Sequence, residues 1–212
     1  MKISTAMKTL IGAAAITLPL MAQAESTVAS GTGTLTAAAH VNFAVVIPQV
    51  LYLRVGTGST YTGTTPSLTN VATIDTVTFS PAAGTVGNGT AVAGSGGDLS
   101  GGVETAAIVS NFGSVTLTAT ATGALSDGAG DTIPYTQITT ASTALTSTTA
   151  LPAPVLSNTT SNSVVLTAPA TKLITEDAKW TFSYANSVTA PAGTYGATTA
   201  NNGQITYTAT MP

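Results

Sequence analysis

Apart from Val46, apolar side chains alternate with small or polar ones between residues 34 and 47, and this is the clearest pattern in the chain. The apolar positions are Leu35, Ala37, Ala39, Val41, Phe43, Val45 and Ile47. A period of two is typical of a β-strand with one buried face. Pro48 follows and has no N–H to donate to a ladder. The pattern predicts a long strand, whose apolar face either packs within its own domain or inserts into the open sheet of another subunit.

Shorter alternating runs separated by Gly, Pro, Ser and Thr continue along the rest of the chain. They predict a central strand at 50–55 and further strands at 71–79, 114–122, 135–139, 163–168, 179–184 and 204–210. The Gly-rich stretch 84–102 is predicted to be a surface loop or a wide hairpin, and the Thr-rich, Ser-rich stretch 140–162 a connecting loop. Glu176 and Asp177 are predicted at a charged hairpin tip. Short strands with turn residues between them favour an all-β fold, an antiparallel β-sandwich.

The first 24 residues have the pattern of a cleaved signal peptide. Lys2 and Lys8 precede an apolar run at 9–21, and Ala22-Gln23-Ala24 fits the cleavage rule, so the mature chain is expected to begin at Glu25. The apolar run is shorter than the roughly 20 residues of a spanning helix. We therefore expect an exported protein of the periplasm, cell surface or extracellular space. Residues 25–212 would form a single domain, with 25–33 as a possible flexible arm.

Composition narrows the functional classes further. About a fifth of the chain is Thr, and it contains no Cys, so no disulfide can form. From residue 25 onward three basic residues face eight acidic ones, a formal charge of −5. Three cations cannot form the basic stripe that binds nucleic acid, so we expect no nucleic-acid partner. No second apolar stretch is long enough to span a membrane as a helix.

Catalytic and metal-binding patterns are weak. His40 is the one His, no G-x-S-x-G or phosphate-binding loop occurs, and one His without Cys argues against zinc. Asp127 and Asp131 flank a Gly-rich turn and are weak calcium candidates, because an ordinary Asx turn explains them better. The sequence therefore predicts a protein that is not an enzyme and has no cofactor.

The C-terminal part resembles exported bacterial β-sandwich proteins of the fimbrial (pilin) subunit type. The resemblance rests on residues 179–184 (KWTFSY), 191–195 (PAGTY) and 203–210 (GQITYTAT). It implies an immunoglobulin-like sandwich that is completed by a neighbour's N-terminal donor strand. It also implies a periplasmic chaperone and an outer-membrane usher as partners.

These observations together predict a secreted or cell-surface structural protein, a subunit of a fimbria-like or extracellular matrix assembly. Self-association or association with other envelope or fimbrial proteins is the expected interaction. The alternative is a monomeric surface module that binds glycans or a protein. That module would need an exposed aromatic platform, for which Tyr61, Tyr135 and Trp180 are the candidates.

Overall fold

The structure, a computed structural model, describes residues 25–56, 68 and 70–212. The predicted signal peptide and Tyr61 lie outside the described residues. The chain separates into two units, Met1–Ile47 and Pro48–Pro212. No helix among the described residues is long and apolar enough to cross a membrane.

The described part of the second unit is all-β. Its strands are β1 (Leu51–Val55), β2 (Val77–Thr78), β3 (Val92–Ala93), β4 (Ser95–Gly96), β5 (Val103–Ser110), β6 (Val115–Ala121), β7 (Leu125–Ser126), β8 (Thr132–Ile133), β9 (Ile138–Thr143), β10 (Asn162–Leu166), β11 (Ile174–Tyr184) and β12 (Ile205–Thr210). Single turns of 3-10 helix lie at Ala83–Thr85, Tyr135–Gln137 and Thr199–Asn201.

Two antiparallel sheets contain most of these strands. In the larger sheet the order is β1-β5-β11-β3, and β9 pairs with β11 as well. In the smaller sheet the order is β10-β6-β12, so that β6 is central. Two small two-stranded sheets, β2 with β4 and β7 with β8, complete the set. The interior strands of the two sheets are therefore β5 and β11 in the larger and β6 in the smaller.

The two main sheets share one apolar core. Its buried members come from β5, β6, β10 and β11 and from the connecting segments: Ala106, Ile108, Val115, Leu117, Ala119, Ala121, Tyr135, Leu151, Leu156, Leu166, Ile174, Ala178, Trp180 and Phe182. Trp180 is fully buried, and its indole N–H donates to the carbonyl of Leu151 at 2.8 Å. Two sheets with their inner faces on a common core are the arrangement of a β-sandwich.

Several predicted strands are confirmed, with small shifts of their ends. β6 buries Val115, Leu117, Ala119 and Ala121, as the alternation at 114–122 predicts. The strands predicted at 163–168 and 204–210 are β10 and β12. The strand predicted at 179–184 is the second half of β11. Sequence periodicity is reliable in these places because one face of each strand packs on the core.

Other predictions are wrong. The strand predicted at 50–55 is β1, but it lies at a sheet edge instead of the centre, since its one partner among the described strands is β5. The stretch 71–79 contributes only the two residues of β2. Glu176 and Asp177 do not form a hairpin tip, because they lie within β11 and Asp177 is buried. The Thr-rich loop predicted from residue 140 begins inside β9.

The central strand β5 was not predicted at all. Its polar residues Glu104 and Thr105 are buried together with its alanines, so the sequence shows neither clean alternation nor a continuous apolar run. Both polar residues form hydrogen bonds with Asp98. The carboxylate of Asp98 accepts hydrogen bonds from the N–H and hydroxyl of Thr105, and the N–H of Asp98 donates to Glu104 Oε2 at 3.3 Å.

Asp177 holds the turn at 146–150 against β11. Its Oδ1 accepts the N–H groups of Thr146 and Ser147 at 2.7 and 2.8 Å, and both of their hydroxyls also donate to the carboxylate. Burial raises the pKa of Asp177, but the hydrogen bonds from Ser147 and Thr146 outweigh it and hold the pKa well below its ordinary value. The ionised carboxylate therefore stabilises the fold.

We predict that Asp177→Asn lowers the free energy of unfolding by about 2 kcal/mol at pH 7, because a neutral amide accepts these hydrogen bonds more weakly. Asp127→Asn, in an exposed turn, serves as the control and is expected to change it by less than about 0.5 kcal/mol. Urea unfolding measures both. The advantage of the wild type is fully present above the ordinary pKa of 3.8 and declines as the pH falls further. Equal effects of the two substitutions would contradict this role of Asp177.

Candidate functional site: an unpaired apolar segment and an open groove

Residues 34–47 form no strand in the structure. None of them has a ladder partner among the described strands, and all are exposed. The long strand predicted here is therefore not formed among the described residues, and which surface covers its apolar positions stays a prediction. An extended segment becomes a β-strand only when a neighbouring edge takes up its N–H and C=O groups.

The apolar face of this segment is open to solvent. Phe43, Val45 and Val41 are 92%, 84% and 74% exposed, and Ile47 and Leu35 are exposed as well. Burying a side chain of this size stabilises by about 1.5–3 kcal/mol. Scattered exposed apolar residues are common, whereas a contiguous run of them is typical of an interaction surface.

A short contact organises the start of the segment. Glu25 Oε2 accepts the backbone N–H of His40 at 3.1 Å and lies 2.8 Å from its Nδ1. Gly31 and Gly33, both with positive φ, lie between the two residues and give the chain the reversal that this contact needs.

The second unit contains a groove of about 1600 Å³ that opens into its core. β1 and β12 line it, together with the segment 70–81 and parts of the loop 188–199. Half-buried apolar side chains that pack on the core face it, among them Leu51, Leu53, Ile205 and Tyr207. The core of this sandwich is therefore incompletely covered along β1 and β12.

Both strands that line the groove are sheet edges. Among the described strands β1 pairs only with β5, and β12 pairs only with β6. A sheet edge presents a row of N–H and C=O groups and accepts a further strand unless it is shielded. β12 carries exposed Thr206, Thr208 and Thr210 on its outer face and no charge, so nothing within β12 itself opposes pairing.

One end of the groove is acidic. Glu104, 6% exposed, lines the groove next to Asp75, Gly56 and Arg54. The pKa of Glu104 is raised to about 7: burial is the largest cause, and the nearby carboxylates of Asp75 and Asp98 act in the same direction, against the lowering effect of the hydrogen bond from Asp98 N–H. This inward-facing acid is a feature of the groove that sequence reasoning missed.

The calcium candidates lie in a turn whose geometry is that of an Asx turn. Asp127 Oδ1 accepts the N–H groups of Ala129, Gly130 and Asp131 at 2.8, 3.1 and 3.0 Å. These hydrogen bonds, with that from Ala129 the largest cause, lower the pKa of Asp127. No group of three or more His, Cys, Asp or Glu side chains in the described part of the chain is placed to hold a metal ion.

The aromatic platform of the alternative hypothesis does not form from the described residues. Trp180 and Tyr135 are buried in the core, where the Tyr135 hydroxyl donates to the carbonyl of Asn202 at 2.6 Å. Neither ring is exposed for stacking on a ligand.

Comparison with known proteins adds no assignment: no protein-family model matches the chain, and neither a curated protein nor a solved structure matches it.

We predict that the amides of residues 35–47 exchange with solvent at nearly unprotected rates in dilute protein, because no ladder partner protects them. The amides of β5 and β11, in the middle of the larger sheet, serve as the protected control. Hydrogen exchange followed by mass spectrometry measures both regions. Slow exchange at 35–47 in a monomeric sample would show that the segment pairs within its own chain.

We also predict that the free energy of unfolding falls as the pH rises from about 4.5 to about 7, because Glu104 releases its proton in the unfolded chain near 4.5 and in the folded chain near 7. The group favours the fold when protonated, so its contribution is fully present below 4.5. Glu104→Gln, which stays neutral, is expected to remove this part of the pH dependence in urea titrations. An unchanged pH dependence would contradict the burial of this acid.

Proposed function

We propose that the protein is a non-enzymatic structural subunit of an extracytoplasmic, fimbria-like or matrix assembly. In this assembly residues 34–47 of one copy insert as a strand into the groove between β1 and β12 of the next. The observation that carries the proposal is that the alternating apolar face of residues 34–47 is exposed and without a ladder partner in the described structure.

The two surfaces match in chemistry. The segment 34–47 contains no Asp, Glu, Lys or Arg, and the groove along β12 is likewise uncharged. On insertion, Val41, Phe43 and Val45 would cover half-buried core residues such as Ile205 and Tyr207. The polar alternates of the segment would then lie on the outer face beside the threonines of β12, which continues the pattern of that sheet.

The two surfaces also match in length. Six residues of β12 extend over roughly 20 Å, while the 13 residues from Leu35 to Ile47 reach roughly 43 Å when extended. The segment therefore covers the whole of β12 and has residues to spare for crossing between subunits.

The energetics favour association. Burial of the three large apolar side chains Val41, Phe43 and Val45, at about 1.5–3 kcal/mol each, contributes towards offsetting the cost of association and of ordering the segment. New ladder hydrogen bonds add to this. One segment and one groove per copy form a head-to-tail contact, and a contact of that kind gives an open filament when its rotation does not close a ring.

The proposal extends to export and to an immunoglobulin-like topology. The leader pattern at 1–24 supports transport out of the cytoplasm.

A subunit with an open groove is an aggregation hazard before assembly, since its free sheet edges can pair with any other exposed strand. A periplasmic chaperone that covers the groove until assembly fits this requirement, as does the resemblance of residues 179–210 to fimbrial subunits.

We predict that Phe43→Asp abolishes self-association of the chain from residue 25 onward, because a carboxylate would have to enter the apolar groove unpaired. Asn42→Asp places the same charge one residue away on the polar side and is expected to weaken association by less than threefold. Sedimentation velocity over a concentration series measures the assembly. Equal assembly of the two variants would contradict insertion of this face.

The groove is tested separately by a peptide of residues 34–47 added to the Phe43→Asp protein, whose own groove is intact. We expect saturable binding and a rise in melting temperature with peptide concentration. A peptide with Asp in place of Phe43 is the matched control. If neither peptide stabilises the protein while circular dichroism shows it folded, then the groove does not take this strand.

A further inference from the structure

The side chain of Asn111 holds the junction of three residues that joins the segment 34–47 to β1. Asn111 follows β5 directly, and its Oδ1 accepts the backbone N–H of Val50 at 2.8 Å. Its Nδ2 donates to the carbonyl of Pro48 at 2.8 Å, and its own N–H donates to the carbonyl of Val50 at 3.3 Å. These three hydrogen bonds, the Asn111 clamp, therefore hold the backbone on both sides of Gln49.

The clamp extends β1 in its existing direction. Leu51 lies opposite Ser110 in the ladder of β1 and β5, so that Val50 opposite Asn111 is the next pair in the same register. The side-chain amide of Asn111 supplies the acceptor that a main-chain carbonyl would supply if β5 were longer. The junction therefore continues the line of β1 as far as Val50.

A hairpin between the segment 34–47 and β1 would need a turn at this junction. Two-residue hairpin turns require positive φ at their first central residue. Proline cannot adopt this conformation because its ring fixes φ at about −65°, and neither Gln49 nor Val50 has positive φ in the structure. A three-residue turn at 48–50 would separate Val50 from Asn111. Fold-back onto β1 is therefore opposed both by the backbone of the junction and by the clamp.

The proposed assembly needs such an obstacle, because each chain carries both a segment and a groove. A segment joined to its own groove by a short flexible linker meets that groove at an effective concentration on the order of millimolar. Self-insertion would then outcompete association with a second copy at ordinary protein concentrations. A junction that does not turn back removes this competing reaction and favours exchange of the strand between copies.

We propose that Asn111, together with Pro48, prevents residues 34–47 from folding back onto the groove of their own chain, so that the groove takes the strand of a second copy. This inference rests on the proposed function and adds the residues that select a partner copy over self-insertion. Asn111 acts as a positioning residue. It is not among the residues that line the groove, so its replacement leaves the docking surface itself unchanged.

The test combines sedimentation velocity with hydrogen exchange on the chain from residue 25 onward. A released variant carries Asn111→Ala, which removes the side-chain bonds of the clamp, and Pro48→Asn with Gln49→Gly, which supply the residues of a type I′ turn. We expect its association to weaken by about tenfold or more, and the amides of residues 35–47 to become protected in its monomer. Association and exchange equal to those of the wild type in a folded released variant would overturn the proposal.

Asn162→Ala is the matched control. Asn162 begins β10 in the smaller sheet, and its Nδ2 donates to the carbonyl of Val155 at 2.9 Å and to Ser157 Oγ at 3.1 Å. Its replacement also removes two side-chain hydrogen bonds, but at a distance in sequence from the junction. Association and exchange like those of the wild type are expected. An equal weakening of association by Asn162→Ala would assign the effect to general destabilisation and overturn the role of Asn111.

Two simpler variants keep the test decisive if the released variant does not fold. Asn111→Ala alone removes the side-chain bonds of the clamp, and Pro48→Asn with Gln49→Gly alone removes the restriction on the turn. Each is expected to weaken association by less than the released variant does. Unchanged association in both, with circular dichroism showing that both are folded, would overturn the proposal.

The outcomes distinguish this inference from the proposed function. Wild-type protein that stays monomeric with residues 35–47 unprotected would contradict the structural-subunit role, and exchange in the released variant would then decide on the clamp alone. Wild-type monomer with residues 35–47 already protected would show self-insertion and overturn the clamp. Association of equal strength in the wild type and in every variant would leave the subunit role standing and overturn only the clamp.

Discussion

Every extended segment needs a partner for its backbone groups and a cover for its apolar face, and this constraint organises the whole protein. β5, β6 and β11 meet it fully, since each has neighbours on both edges and buries one face in the core around Trp180. β1 and β12 have a neighbouring strand on one edge only among the described strands. Residues 34–47 meet it on neither edge in the described structure. The proposed assembly pairs the free edge of β12 with the segment 34–47 of another copy, so that each supplies the hydrogen-bonding partner that the other lacks.

The larger sheet contains buried polar side chains as well as apolar ones, and one of them lines the groove. Asp98 and Asp177 each gather hydrogen bonds from one short stretch of backbone and side chains, and this satisfies polar groups that strands in the sheet interior would otherwise leave unpaired. Glu104 differs because its neighbour is another acid and its side chain faces the groove.

Sequence reasoning predicted the part of the fold that has clean periodicity. The alternation in β6 and in the second half of β11 identified their buried faces, because the core requires alternate residues to be apolar there. β5 was not predicted because tertiary contacts of Asp98 allow its polar residues to be buried: the carboxylate of Asp98 accepts from Thr105, and its N–H donates to Glu104. The alternation at 34–47 predicted a strand with one buried face. Alternation alone does not identify whether that face packs against the same chain or against another copy.

The most direct test of the central claim uses the absence of cysteine from the chain. Two single-cysteine proteins, Asn42→Cys on the segment and Thr208→Cys on β12, are mixed under oxidising conditions. Side chains of neighbouring strands lie close enough for a disulfide, and His40→Cys and Ala44→Cys cover a shift in register. The account predicts disulfide-linked dimers in these mixtures, and none when Thr175→Cys of β11 replaces Thr208→Cys. If no segment position links to Thr208→Cys more readily than to Thr175→Cys, the segment does not pair with β12 and the account is contradicted.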